Sequence, residues 1–145
     1  MRIGLRRVTL LAEMAILGDE STLPRLVAFL RDPPTLSKNR ERQLRGTMLR
    51  ALKAISVHHY KPALPVMKTL EIAPHLQGFL DVFTAQLEEN APALEQYVQD
   101  SVLTSAALFA LNRMGRDEIV REIASDSRNP ARPAAEAVLR GQREP

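Results

Sequence analysis

The residues of this chain best suited to chemistry are the pairs His58-His59, Glu88-Glu89 and Asp117-Glu118. Imidazoles can ligate a metal ion, and paired carboxylates can divide the roles of general acid and general base between them. Adjacent histidines on a helix, however, point about 100° apart and cannot both reach one ion without an irregular turn. His75 is distant in sequence, and we expect no acidic residue beside the histidine pair. An ordinary polar turn is therefore predicted at residues 58–60.

Both acidic pairs fall where a predicted helix begins or ends. Glu88-Glu89 precedes a turn, and Asp117-Glu118 occupies the first turn of a helix, where the backbone dipole favours negative charge. The chain has no cysteine, which excludes disulfides, Cys-based zinc sites and thiol nucleophiles. The sequence also has no Ser/His/Asp order, glycine-rich phosphate loop or HExxH motif. We assign no catalytic residue, cofactor or metal ion, and we favour a non-catalytic module.

Charge is spread unevenly along the 145 residues. Residues 1–68 hold thirteen Lys and Arg against five Asp and Glu, a net of +8. Residues 69–112 hold six acidic residues and no Lys or Arg, a net of −6. A basic end attracts an acidic protein or nucleic acid, whereas the acidic middle repels phosphate. We predict that a partner-binding surface includes Arg25, Arg31, Arg42, Arg45, Arg50, Lys53, Lys61 and Lys68.

The densest basic cluster lies on one predicted helix, roughly opposite its apolar stripe. Its members include Arg42, Arg45, Arg50 and Lys53. The same pattern is typical of a solvated helix face, so both interpretations stay open. In this half of the chain only Tyr60 and Phe29 are aromatic residues that could stack on nucleic-acid bases. An acidic protein is therefore the favoured partner, and nucleic acid is the alternative.

Apolar periodicity divides the chain into helices and predicts no strand. Between residues 8 and 15, apolar side chains recur at i, i+3, i+4 and i+7, which lines one face of an α-helix. Gly18 ends this helix, because glycine enters the left-handed conformation without a Cβ clash. Ser21 or Thr22 is expected to cap a second helix, with Pro24 in its first turn. Neither helix can bury its stripe alone, so each must pack on its partner and on a neighbouring pair.

Units of this kind recur down the chain. Leu11, Leu52 and Leu108 occupy equivalent positions, and Gly115 matches the first glycine stop, whereas the third unit lacks such a glycine. We predict nine helices in a single domain, with a polar loop over residues 35–39. They form hairpins at about 3–31, 40–72, 75–99 and 101–126 and a terminal helix at about 131–140. Such repetition is typical of an α-solenoid, in which each pair contacts mainly its neighbours.

Two segments resemble a known family. Residues 15–26, AILGDESTLPRL, resemble the HEAT repeat, especially the short HEAT-like repeats of the phycobilisome-lyase type. Residues 129–139, NPARPAAEAVL, are similar to the opening helix of another such repeat. The resemblance implies an all-α fold, a right-handed α-solenoid (alpha-alpha superhelix), and a scaffold or binding role without implying a reaction. A nucleic-acid-binding protein is one alternative within this resemblance, and a lyase-like enzyme or enzyme subunit acting on a tetrapyrrole is another.

The family resemblance also indicates which face binds. HEAT-like scaffold proteins and DNA glycosylases use the face lined by the second helix of each pair. In this chain that face would carry Arg25, Arg31, Lys61 and Lys68. Its continuation would carry Glu95, Gln96, Gln99 and Glu122. No aromatic cluster surrounds a carboxylate to hold a flipped base, which argues against glycosylase activity.

Nothing in the sequence indicates a membrane protein. No apolar stretch approaches the roughly 20 residues that a membrane-spanning helix needs. The amino terminus has arginine ahead of an apolar run, as a secretory signal does, but Glu13 interrupts that run and we predict no cleaved signal. The lack of cysteine fits a reducing compartment, so we expect a cytoplasmic location. A second copy joined end to end is a further candidate partner.

Overall fold

The computed structural model describes residues 4–34, 38–142 and 144, and every regular element among them is helical. Over this part of the chain the α-helices are α1 Leu5–Ile16, α2 Leu23–Arg31, α3 Lys38–Val57, α4 Leu64–Thr69, α5 Gln77–Leu87, α6 Ala91–Val98, α7 Thr104–Arg113, α8 Asp117–Ser125 and α9 Arg132–Leu139. Short 3₁₀ turns precede three of them, at Glu20–Thr22, Lys61–Ala63 and Pro74–Leu76. The predicted all-α class is confirmed for the described residues.

Two details of the predicted elements differ from the structure. The polar loop predicted over residues 35–39 ends earlier, because α3 already begins at Lys38. Residues 35–37 lie outside the described residues, as does residue 3, the predicted start of the first hairpin. The predicted capping by Ser21 or Thr22 is wrong, because a 3₁₀ turn separates the first glycine stop from α2 and moves the cap backwards.

Asp19 provides the cap in place of those two residues. Its carboxylate accepts a hydrogen bond from the Ser21 backbone N–H at 3.1 Å and another from the Ser21 hydroxyl at 2.5 Å. These bonds hold the pKa of Asp19 below its ordinary value. Thr22 instead donates its hydroxyl proton to the Asp19 carbonyl oxygen at 3.1 Å. A carboxylate at this place satisfies backbone donors that the helix start leaves open.

The same hydrogen-bonded turn ends five helices. The residue two positions beyond the helix has a left-handed φ, at Gly18 (121°), His59 (49°), Glu89 (57°), Gly115 (76°) and Gly141 (75°). Each time its N–H bonds to the carbonyl three residues back, and the next N–H bonds to the carbonyl five residues back. This pair of bonds is the Schellman motif. The predicted glycine stops are confirmed, and the second and third hairpins make the same turn without glycine.

The chain divides into two compact units, Met1–Leu80 and Asp81–Pro145. In the first unit, α1 packs on α2 and α3, and α2 packs on α3 and α4. In the second unit, α7 packs on α6, α8 and α9, and α8 packs on α9. The first helix α1 thus contacts its own partner α2 and the next first helix α3, and α7 contacts its own partner α8 and the next first helix α9. The single domain inferred from the sequence stays a prediction.

Three contacts of α1, two with α3 and one with His58 directly after it, show the direction of packing in the first unit. They join Thr9 to Thr47, Glu13 to Arg50 and Ala15 to His58. In these three pairs a higher residue number on one side goes with a higher residue number on the other, so α1 and α3 run parallel. First helices of successive hairpins must run parallel when the hairpins stack in the same orientation, and α1 and α3 do so.

Most residues of the apolar stripes predicted from the sequence are buried. Leu26, Leu52, Leu108 and Leu111 are each 0% exposed. On α1, by contrast, Leu10, Met14 and Leu17 are 59%, 38% and 87% exposed and follow one another at helical spacing on the outward face. End-to-end pairing with a second copy stays a prediction. Among the described helices, none is long and apolar enough to cross a membrane.

Candidate functional site

The second helices of the first two hairpins, α2 and α4, pack side by side in the first unit. A groove of about 500 Å³ runs along them, and we call it the α2–α4 groove. It is lined by Leu30, Arg31, Pro33, Pro65, Val66, Thr69, Leu70 and Glu71. Thr69 donates its hydroxyl proton within α4, to the carbonyl oxygens of Pro65 and Val66 at 3.3 Å. The hydroxyl is therefore turned back to its own helix, and the groove presents apolar carbon of Pro33, Pro65 and Leu70 beside charged groups.

Four of the predicted partner-binding residues lie on α2, on α4 and on the 3₁₀ turn before α4, and all four are exposed. They are Arg25, Arg31, Lys61 and Lys68. Arg31 and Lys68 lie in the last turns of α2 and α4, where the helix dipole favours positive charge. Within the described residues, Arg31 forms no ion pair. Its guanidinium therefore stands at the edge of the α2–α4 groove with its charge available to a ligand.

The other four predicted residues lie on α3 and do not form one uniform surface. Arg42 and Arg50 are exposed, whereas Arg45 and Lys53 are half-buried. Arg45 pairs with Glu41 one turn earlier, at 3.2 Å, and Arg50 pairs with Glu13 of α1. Exposed ion pairs of this kind contribute about 0–1 kcal/mol to stability, so they can be exchanged for a ligand at little cost.

A second groove, of about 360 Å³, lies between α1 and α3. We call it the α1–α3 groove, and it is lined by Arg6, Thr9, Gln43, Gly46, Thr47 and Arg50. The hydroxyl oxygens of Thr9 and Thr47 lie 3.1 Å apart and share a hydrogen bond. Sequence reasoning missed this groove because its residues come from two helices far apart in the chain. Gly46, in the middle of a helix where glycine is unfavourable, is the signal that could have indicated it.

The histidine pair is part of the packing between the first two hairpins. His58 Nε2 donates to the Ala15 carbonyl oxygen at the end of α1, and Nδ1 lies 3.3 Å from the Glu20 carboxylate. The expectation that no acidic residue lies beside the pair is therefore wrong, because the hairpin turn brings Glu20 back to α3. His59 takes the left-handed position of its turn. In the described ranges, no three His, Cys, Asp or Glu residues lie close enough to hold a metal ion.

The acidic pairs lie at helix ends, as predicted. Asp117 accepts a hydrogen bond from the Asn112 side-chain amide at 2.8 Å across the turn that joins α7 to α8. Glu118 accepts from Arg116 Nε at 2.6 Å, and this bond lowers the pKa of Glu118. The other pair, at residues 88–89, is exposed in its turn. The bonded pair thus stabilises the start of a helix, and its carboxylates are held by neighbouring donors.

One buried charged group was not predicted. In the second unit, Arg113 Nε donates to the Gln86 side-chain oxygen at 2.9 Å, and its guanidinium pairs with Glu144. The side chains of Arg113 and Glu144 are each 14% exposed, and Gln86 is fully buried. Burial lowers the pKa of Arg113, and the Glu144 carboxylate opposes that shift. The group ties α5, α7 and the residues after α9 together.

Comparison with known proteins does not identify a family: no family model, curated protein or solved structure matches the chain. The likeness of residues 15–26 and 129–139 to HEAT-like repeats therefore rests on the residues themselves.

Proposed function

We propose that the chain is a non-catalytic protein-binding module of the HEAT-repeat type. In this proposal the α2–α4 groove holds a partner segment that carries both acidic and apolar side chains. The observation that carries the proposal is the exposed Arg31, which forms no ion pair among the described residues, beside a groove that also contains the accessible apolar side chains of Pro33, Pro65 and Leu70. Apolar carbon supplies affinity on burial, and the adjacent guanidinium selects a carboxylate.

The packing within each unit supports the repeat assignment. The first helix α1 contacts its own partner and the next first helix, α7 does the same in the second unit, and the same Schellman turn ends five helices. These are the relations expected of HEAT-like hairpins stacked on one another. On this basis we keep the right-handed α-solenoid as the proposed arrangement of the hairpins. A rigid stack presents its side chains in fixed positions, which reduces the ordering cost of binding.

The surrounding charge indicates the sign of the partner. Residues 1–68 carry a net charge of +8, so an acidic chain is attracted from a distance and a basic one is repelled. On α2, on α4 and on the 3₁₀ turn before α4, the side chains of Arg25, Lys68 and Lys61 are exposed. Glu71 lines the groove as well, and it would disfavour a partner acid next to it. The partner's acidic residues should therefore lie towards Arg31, which sets the direction of the bound segment.

Selection from random dodecapeptides displayed on phage tests the proposal. We expect the immobilised protein to enrich peptides with Asp or Glu beside aliphatic residues. The enriched peptides should bind the double variant Arg25→Glu, Arg31→Glu at least about tenfold more weakly, because an attractive contact becomes a repulsive one. The matched control, Arg128→Glu with Arg140→Glu, changes net charge equally at exposed residues of the second unit and should retain binding. Enrichment of basic peptides, or equal losses in both variants, would contradict the proposal.

Nucleic acid is the rival ligand for the same basic half. Phosphate contacts release counterions, so binding to a fluorescent DNA duplex should weaken steeply as salt rises if the rival is correct. Around the α2–α4 groove, Phe29 is buried and supplies no exposed ring for stacking on bases. We expect no duplex retention at physiological salt. Retention with a steep salt dependence that disappears in the Arg25→Glu, Arg31→Glu variant would replace the proposal by the rival.

A further inference from the structure

Most of the side chains that line the α1–α3 groove carry hydrogen-bond donors on aliphatic stems. Its lining contains two guanidinium groups, two hydroxyls, one side-chain amide and one glycine, with no aliphatic or aromatic side chain. The donors belong to two parallel helices that pack directly on each other, so their backbones are held in place. Thr47 is 3% exposed and lies at the base of the groove, whereas Arg6 and Arg50 are exposed at its rim. We propose that this groove is a binding site for a phosphate group.

The number and arrangement of donors favour a tetrahedral oxyanion. A guanidinium can donate two parallel bonds to one anion, and two guanidinium groups with two hydroxyls exceed what the two oxygens of a carboxylate can accept. A phosphate presents three terminal oxygens with a charge near −2 at neutral pH. The Thr9 and Thr47 hydroxyls share one hydrogen bond at 3.1 Å, so the proton of the accepting hydroxyl can turn towards an anion without moving a heavy atom.

Glu13 sharpens the choice between phosphate and carboxylate. Its carboxylate already pairs with Arg50 at the rim, from the helix that also carries Arg6. An external carboxylate would have to displace an identical group that is tethered nearby, and it would gain little by doing so. A phosphate dianion offers more charge and more acceptors, so it can replace Glu13 on Arg50 with a net gain. Within the described residues Arg6 forms no ion pair, and its charge adds to that gain.

Gly46 keeps the groove open. It is exposed in the middle of α3, and a Cβ placed there would meet nothing within 4 Å. Glycine inside a helix costs about 1 kcal/mol relative to alanine, so the helix would be more stable with a side chain here. A longer side chain would, however, project into the space between the donors on the two helices. A substitution of Gly46 by a residue with a longer side chain should therefore block the groove and stabilise the fold.

The α1–α3 groove and the α2–α4 groove are formed by different residues, so the two proposals can fail separately. Titration with phenyl phosphate, followed by the NMR signals of the Gly46 and Thr47 amides, tests the phosphate site. We expect saturable shifts centred on these amides, and no comparable response to acetate at the same ionic strength. Tighter binding of phenyl phosphate than of inorganic phosphate would identify a monoester on a larger molecule as the ligand, and equal binding would identify the free ion.

Variants distinguish specific phosphate binding in the α1–α3 groove from general attraction of phosphate to a basic surface. Arg6→Gln with Arg50→Gln should weaken phenyl phosphate binding by about tenfold or more, because charge-assisted hydrogen bonds are lost. The matched control, Arg7→Gln with Arg40→Gln, removes the same charge from exposed positions on the same two helices outside the groove and should keep most of the affinity. Gly46→Leu should abolish the shifts while raising the thermal midpoint. Equal losses in both arginine pairs, undiminished binding by Gly46→Leu, or an equal response to acetate would overturn the proposal.

Discussion

Two turn residues adopt a backbone conformation that disfavours their side chains. His59 and Glu89 have φ of 49° and 57° at the positions where other turns have glycine. A non-glycine residue pays about 1–2 kcal/mol for the left-handed conformation. The sequence shows glycine stops directly, but it cannot show that a histidine or a glutamate takes the same geometry, because the surrounding packing imposes it.

Replacing one of these residues with glycine should stabilise the protein. We predict that Glu89→Gly raises the free energy of unfolding by up to about 1 kcal/mol, since relief of backbone strain outweighs the extra freedom of the unfolded chain. Gly115→Ala is the reverse change and serves as the control. It should lower the free energy of unfolding by about 1 kcal/mol. A Cβ at Gly115 meets nothing within 4 Å, so that loss reports the backbone alone. Urea unfolding measures both, and a stabilised Gly115→Ala would contradict the assignment of strain.

The ion pair between Arg113 and Glu144 belongs to the same scale. The two residues are 31 positions apart, and no periodicity in the sequence connects them. Arg113 precedes a predicted glycine stop and would be read as an ordinary basic residue in the last turn of α7. Only the fold shows that its guanidinium is buried and therefore needs a partner.

Replacing one member of this ion pair should lower the free energy of unfolding more than replacing both members. We predict that Glu144→Gln lowers the free energy of unfolding by about 3 kcal/mol, because Arg113 is left as a buried charge without its counter-ion. The double variant Arg113→Met, Glu144→Gln should recover most of that loss. Chemical denaturation of the wild type, the single variants Glu144→Gln and Arg113→Met, and the double variant gives the coupling. Simple additivity of the single changes would show that the pair is not coupled.

At the scale of the helices, hydrophobic spacing and glycine stops were sufficient to predict the elements. The third hairpin shows the limit of such spacing. Pro24, Pro65 and Pro92 each occupy the second position of a helix. A 3₁₀ turn precedes the helices of Pro24 and Pro65 but not that of Pro92. Alignment on proline therefore misplaces the third turn by the three residues of that 3₁₀ turn.

The missing 3₁₀ turn gives the third hairpin a different helix start. Asn90 caps α6 by accepting a hydrogen bond from the Ala93 N–H at 3.2 Å. We predict that Asn90→Ala costs about 1 kcal/mol of unfolding free energy, whereas Asn90→Asp retains the cap and changes stability little. Thermal and urea unfolding provide the measurement. Equal losses in the two variants would show that the side-chain oxygen is not what stabilises this turn.

At the scale of the molecule, the sequence predicted the basic end and the outward direction of the residues on the second helices. It could not predict that Arg45 and Arg50 are already paired with Glu41 and Glu13. Nor could it predict either groove, because each is formed by residues from separate helices that tertiary packing brings together. Spacing within one helix determines which face a residue occupies, whereas the space between two helices depends on how they pack.

The binding role of the α2–α4 groove is the central claim, and one measurement tests it most directly. Amide chemical shifts of the whole protein should be mapped while the tightest phage-selected acidic peptide is titrated in. We predict shifts centred on Arg31, Val66, Thr69 and Leu70, with the second unit unaffected. Shifts centred on the second unit, or spread evenly over exposed basic residues, would contradict the claim.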